Sequence, residues 1–109
     1  MDVMHRIQKL VDSHPIVLFM KGTPQFPMCG FSAAAVQSLK NASASVYTVN
    51  VLEDPEVRAN LPQYANWKTF PQLFVNGELI GGADIVTDLE ASGELARMVA
   101  ESGAQAGAA

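Results

Sequence analysis

Five consecutive apolar residues, Ile16-Val-Leu-Phe-Met20, run directly into the glycine- and proline-rich stretch Lys21-Gly-Thr-Pro-Gln-Phe-Pro27. The run is strand-sized, well short of the ~20 apolar residues a membrane-spanning helix needs. A strand points alternate side chains to opposite faces, so a run without a polar position is apolar on both. It therefore predicts a central strand in a sheet that helices cover on each side. The material for such layers is present: 109 residues, 49% of them hydrophobic, suffice for one domain with a real core and are too few for two.

Around this strand the other elements fall in order. Val3, Ile7, Leu10 and Val11 recur at helical spacing and predict an amphipathic helix over about residues 2–13, ended by Ser13-His14-Pro15. Ser32-Ala-Ala-Ala-Val-Gln-Ser-Leu-Lys40 predicts a second helix, and Val46-Tyr-Thr-Val-Asn-Val51 a β-branched strand after it. Strand, helix and strand in that order imply a right-handed parallel crossover. Asp54-Pro55-Glu56 reads as the N-cap and first turn of a third helix, which Pro62 kinks or restarts and which ends near Asn66. Asn76-Gly77 between Gln72–Val75 and Glu78–Ile80 is a strong hairpin signal and predicts an antiparallel pair. Gly81-Gly-Ala-Asp84 opens a helix with Asp84 as an acidic N-cap, and a further helix follows through Leu95, Met98 and Val99. From Ser102 the composition predicts a frayed tail.

Charge and cysteine usage narrow the function classes. A formal net charge of -4 with seven lysines and arginines argues against a phosphate-backbone binder, so no nucleic-acid partner is expected. Met1–Asp12 mixes both charge signs in an amphipathic pattern, unlike a signal peptide, and the expectation is a soluble, cytoplasmic protein with no membrane partner. One cysteine permits no intrachain disulfide, which suits a reducing compartment. With His5 and His14 at no metal-type spacing from it, the chain has no four-ligand zinc or iron-sulfur site of its own; both histidines read as surface residues. A metal held at Cys29 takes its other ligands from outside the chain.

That cysteine is the candidate reactive group. Thr23-Pro24 and Phe26-Pro27 force an extended approach, and helix-forming residues follow, which puts Cys29 at or just before a helix N-terminus. Unpaired N–H groups and the positive end of the helix dipole favour thiolate there, and Lys21 adds to the same field. A small buried hydrophobe, the ordinary alternative for a lone cysteine, fits this loop poorly.

The element order, with a cysteine opening the helix after the first strand, is thioredoxin-like: an α/β fold with a four-stranded mixed sheet flanked by helices on both faces. Lys21-Gly-Thr-Pro24, Cys29-Gly-Phe-Ser32, Trp67-Lys-Thr-Phe-Pro-Gln72 and Gly81-Gly-Ala-Asp84 occur in that order, and over residues 2 to 101 the sequence resembles the monothiol glutaredoxins of the single-domain bacterial type. The resemblance implies a glutaredoxin domain over 1–102 and a flexible tail over 103–109. Ser32 stands where a dithiol relative carries its resolving cysteine, and a hydroxyl cannot attack a mixed disulfide, so resolution comes from another molecule's thiol.

Taken singly, Lys21 and Arg58 read as solvated charges, Asp84 as a helix cap, and Phe31 and Trp67 as core aromatics. The resemblance implies that Lys21 and Arg58 hold the glycyl carboxylate of glutathione, and that Phe70, ahead of a cis Pro71, pairs with its cysteinyl unit like an added strand. It further implies that Gly82, Ala83 and Asp84 receive the γ-glutamyl end, and that Trp67 and Phe31 border the site, Phe31 exposed beside the thiol. Lys68 departs from the family's commoner proline. Three functions are then open. In the first, two protomers and two glutathione thiols bind a [2Fe-2S] cluster through the Cys29 pair, as a homodimer that delivers it to iron-sulfur apo-proteins or BolA-like partners. In the second, a monothiol oxidoreductase, weak at most, removes glutathione from protein disulfides. In the third, an interaction module carries an incidental thiol.

Overall fold

The computed structural model describes residues 2–104, along which run α1 (Val3–Asp12), β1 (Ile16–Met20), α2 (Gly30–Asn41), β2 (Tyr47–Asn50), α3 (Pro55–Ala65), β3 (Gln72–Val75), β4 (Glu78–Gly81), α4 (Ala83–Ser92) and α5 (Glu94–Ser102). The sheet order is β2-β1-β3-β4, with β1 parallel to β2 and antiparallel to β3, and β3 antiparallel to β4. β1 is thus an inner strand, as its uninterrupted apolar run predicts, and all five of its residues are buried.

Its alternation divides the core in two. Ile16, Leu18 and Met20 pack with Ala35 and Leu39 of α2, Val86 of α4 and Leu95 of α5. Val17 and Phe19 face the other way, onto Ile7 and Val11 of α1 and Val57 and Leu61 of α3. Phe19 meets Phe74 edge-on at 5.6 Å between ring centroids, a favourable aromatic arrangement. The chain is therefore a mixed sheet between α1 and α3 on one face and α2, α4 and α5 on the other. Among the described residues no helix is long and apolar enough to cross a membrane.

Local signals explain most boundaries. Asp2 caps α1 by accepting from the His5 N–H at 2.9 Å. Asn76 and Gly77 both take positive φ, 50° and 82°, which the tight turn between β3 and β4 requires and which asparagine and glycine tolerate best. α3 ends where Asn66 adopts the left-handed conformation.

Four expectations are corrected. The second strand is shorter than predicted, Tyr47–Asn50. The third helix is not restarted at Pro62: α3 runs through the proline, which lacks an N–H and leaves the Arg58 carbonyl without its usual helix bond. The cap of α4 is Gly82, whose carbonyl accepts from the Val86 N–H at 3.0 Å; the glycine turn closes two residues earlier than an acidic cap would, and Asp84 lies inside the first turn. Ala104 is only 7% exposed and its carbonyl accepts from the Ser45 N–H at 2.6 Å, so the chain stays docked past α5. The remainder of the expected tail, residues 105–109, lies outside the described residues.

α3 is locked to α1 at the end nearest its cap. Asp54 accepts from the Val57 N–H at 3.2 Å and receives two bonds from Arg6, at 2.6 and 3.1 Å, while Arg6 also reaches Glu56 at 2.8 Å. Arg6 first, then the Val57 N–H, holds the Asp54 carboxyl below the usual carboxylate range against partial desolvation. Asp54→Ala should cost about 1–2 kcal/mol at neutral pH, as loss of a helix cap does. A carboxyl depressed in the folded state stabilises above its unfolded pKa and loses that contribution as pH falls through its folded pKa. The deficit measured by urea denaturation should therefore narrow on strong acidification; a deficit independent of pH would contradict this role.

Candidate functional site

The carboxyl end of β1 leads into a small hairpin of its own. Thr23 and Phe26 exchange backbone bonds at 3.2 and 3.1 Å, Gly22 pairs with Pro27, and the Met28 N–H reaches the Lys21 carbonyl at 2.9 Å. Asn50 at the end of β2 anchors the loop by accepting from the Gly22 N–H at 3.0 Å. Phe26 and Met28 of the loop and Phe31 in the first turn of α2 are exposed at 76%, 69% and 64%, an apolar collar of near sequence neighbours of Cys29.

Cys29 is the N-cap residue of α2, with extended backbone and no full side-chain capping bond. Its thiol is half-buried and free. The backbone N–H of Ser32 does most to lower its pKa, followed among the favourable influences by the Phe31 N–H, the charge of Lys21 and the Ser32 hydroxyl, against an opposing desolvation. Ser32 itself is fully buried and accepts from the Lys21 N–H at 3.1 Å, which ties the end of β1 to the first turn of α2. The sequence reading gave Ser32 only the lack of a second thiol; in the fold it holds both the loop and the thiolate environment.

The lowered thiol has a measurable consequence. Alkylation by iodoacetamide follows the thiolate fraction, so its rate should rise with pH through an inflection below the ordinary thiol value. Lys21→Gln should move that inflection upward. An inflection at or above that of a free cysteine would contradict the placement.

One cleft of about 880 Å³ gathers every residue the sequence singled out for the site: Lys21, Cys29, Phe31, Arg58, Phe70, Pro71, Gly82, Ala83 and Asp84. They arrive from the end of β1, the start of α2, α3, the segment before β3 and the start of α4. The Phe70–Pro71 peptide is cis. Trp67 and Lys68 line the same cleft, as do Pro62, Thr69 and Ile85, which sequence reasoning did not single out. Pro62 was recoverable, since it lies one helical turn beyond Arg58; Thr69 belonged to a quoted block, and Ile85 gave no signal.

The cleft is built to receive charged groups. Lys21, Arg58 and Lys68 against Asp84 give it a net of +2 in a chain whose total is -4. None of these four takes part in an ion pair among the described residues, whose pairs all involve Arg6 or Arg97. Gly82 offers no side chain to cap α4, which leaves the first-turn N–H groups of Ala83 and Asp84 without a side-chain partner. A Cβ on Gly82 would sit 3.4 Å from both the Pro71 carbonyl oxygen and Trp67 Nε1, in ordinary contact with the wall of the cleft. Trp67 Nε1 is itself buried, with no partner among the described residues. His5 and His14 lie at the exposed surface away from the cleft, His14 stacked on Tyr47 at 4.2 Å. No group of three or more His, Cys, Asp or Glu among the described residues is arranged to hold a metal.

The sequence and the fold are similar to those of known proteins. The glutaredoxin family model matches residues 16–80. Glutaredoxin 4 of Escherichia coli is 48% identical over 102 residues, covering 94% of this chain and 89% of the relative. Among solved structures, reduced poplar apo GrxS14 superposes with a TM-score of 0.77 at 46% identity, covering 91% of each chain. A buckwheat glutaredoxin-glutathione complex superposes with a TM-score of 0.82 at 29% identity, covering 94% of this chain and 92% of that one.

Proposed function

This chain belongs to the glutaredoxin family, and from that premise we propose that it is a glutathione-dependent carrier of a [2Fe-2S] cluster, shared as cargo between two protomers. The observation that carries the reading is a single thiolate-favouring cysteine beside a buried serine, at the mouth of a cationic cleft and inside an exposed apolar collar. An iron-sulfur cluster of this kind takes four ligands, usually thiolates. One protomer offers one, a symmetric pair offers two, and a thiol tripeptide in each cleft brings the total to four. The collar of Phe26, Met28 and Phe31 gives the pair an apolar contact around the shared cargo.

The residues suit glutathione. Lys21 and Arg58 hold the glycyl carboxylate, the backbone at Phe70 and Pro71 takes the cysteinyl unit as an added strand, and the start of α4 takes the γ-glutamyl carboxylate on the Gly82-Ala83 side. Asp84, with neither oxygen engaged in capping, meets the amine. The cluster then passes to apo-proteins or is shared with a BolA-like partner, in the cytoplasm, where thiols stay reduced. Stoichiometry tests the reading: a coloured, reconstituted sample should contain iron, sulfide, glutathione and chain in equal numbers, as particles of two chains. Colour without bound glutathione, or on a monomer, would overturn it.

The lowered Cys29 thiol favours a second reading from the same site. Cys29 thiolate attacks the glutathionyl sulfur of a protein mixed disulfide, expelling the protein thiolate. A second glutathione thiolate then attacks the Cys29-bound glutathionyl sulfur, releasing glutathione disulfide and restoring Cys29 thiolate. Rapid turnover in a glutathione-coupled disulfide assay by a sample that binds no cluster would make this the principal activity.

A further inference from the structure

Lys68 is the one cation of the cleft that the tripeptide leaves unused. Glutathione presents two carboxylates and one amine, which Lys21 with Arg58, the start of α4 and Asp84 take up. Lys68 lines the same cleft, is exposed, and makes no ion pair among the described residues. Its backbone is held from beneath: Gln72, fully buried, donates from Nε2 to the carbonyls of Trp67 at 2.9 Å and Thr69 at 3.3 Å, the residues on either side of Lys68. The ammonium therefore swings from a fixed root beside the cleft. A protein segment that follows its thiol to Cys29 reaches a cleft whose lining includes the exposed Phe31 and this spare charge.

We infer that Lys68 is a specificity-determining residue for the protein partner, selecting segments in which acidic side chains flank the thiol presented to Cys29. This rests on the reading of the cleft as a glutathione site. The chain's overall charge of -4 offers an acidic partner no general attraction. Screening confines electrostatics to about 8–10 Å at ordinary salt, so the local cation decides. An exposed pair of this type is weak, and the preference is correspondingly modest, about two- to fivefold.

The test uses peptides glutathionylated at a single cysteine and flanked by Glu, Gln or Lys. They are bound to the full chain carrying Cys29→Ser, which blocks transfer. Trp67, the only tryptophan, lines the cleft and reports binding by its fluorescence. With Lys68 present, the Glu-flanked peptide should bind about two- to fivefold more tightly than the Gln-flanked one at low salt, with the ratio approaching one at high salt. The ratio should be one in Lys68→Gln, and the order should reverse toward the Lys-flanked peptide in Lys68→Glu. A ratio of one with Lys68 present, or a preference that survives in Lys68→Gln, would overturn the inference while leaving the glutathione site standing. Failure of every peptide and of free glutathione to bind would overturn both.

Discussion

Cys29→Ser is expected to remove all cluster-dependent colour and dimerisation while leaving the fold intact or slightly more stable. Soft thiolate is the ligand that iron-sulfur clusters select, and a serine hydroxyl does not ionise near neutral pH, so one substitution per chain deletes both protein ligands of the pair. The same change places a preferred capping residue at the extended N-cap position of α2, where Cys29 itself makes no full capping bond. Loss of function and gain of stability should thus appear in one variant, by a few tenths to about 1 kcal/mol on the stability side. Retained colour would contradict the role of Cys29. Retained partner affinity together with an intact cellular role would favour the interaction-module alternative.

Gly22→Ala should be the most damaging small substitution in the thiol loop. Gly22 holds φ +96°, and a Cβ there would lie 2.5 Å from the Phe26 carbonyl oxygen and 2.6 Å from the Met28 nitrogen. Both are backbone atoms of the hairpin, so neither can swing aside, and relief requires opening the Gly22–Pro27 pairing that leads into Cys29. Adding the left-handed penalty to the clash gives an expected cost of about 2–3 kcal/mol. Urea denaturation reads the stability loss, and slower or pH-shifted alkylation of Cys29 reads the displaced thiol. Gly30→Ala is the matched control: a Cβ at Gly30 meets nothing within 4 Å, so its effect should be near zero or favourable. Equal behaviour of the two variants would contradict the loop geometry.

The elements most legible in the sequence were those written in residue types with one physical meaning. The apolar run Ile16–Met20 announced an inner strand because no polar position allows a solvent face, and Asp54-Pro55 announced a helix start because cap and first-turn proline fit no other local structure as well. Asn76-Gly77 did the same for the hairpin. The start of α4 was less legible, since two glycines and an aspartate offer several turn closures, and the cap falls on Gly82.

Within the site, Cys29 could be named from its own chemistry, and Lys21, Arg58 and Asp84 only through the family resemblance, whereas the buried supports could not be recognised as such. Ser32 and Gln72 are polar residues buried to 0% exposure; Ser32 accepts from the Lys21 N–H, and Gln72 donates from Nε2 to the carbonyls of Trp67 and Thr69 while its Oε1 has no partner among the described residues. Nothing in a single sequence separates such residues from ordinary surface polar ones. The docking of Ala104 against Ser45 was hidden for a related reason: a glycine- and alanine-rich segment carries no periodicity to read.

The most direct measurement is an absorption spectrum combined with solution mass on protein purified without oxygen, with and without glutathione. The expected result is visible cluster absorption and a two-chain particle only when glutathione is present, and a colourless single chain when it is withheld. A coloured dimer formed without glutathione, or a colourless monomer in its presence after supply of iron and sulfide, would contradict the shared site.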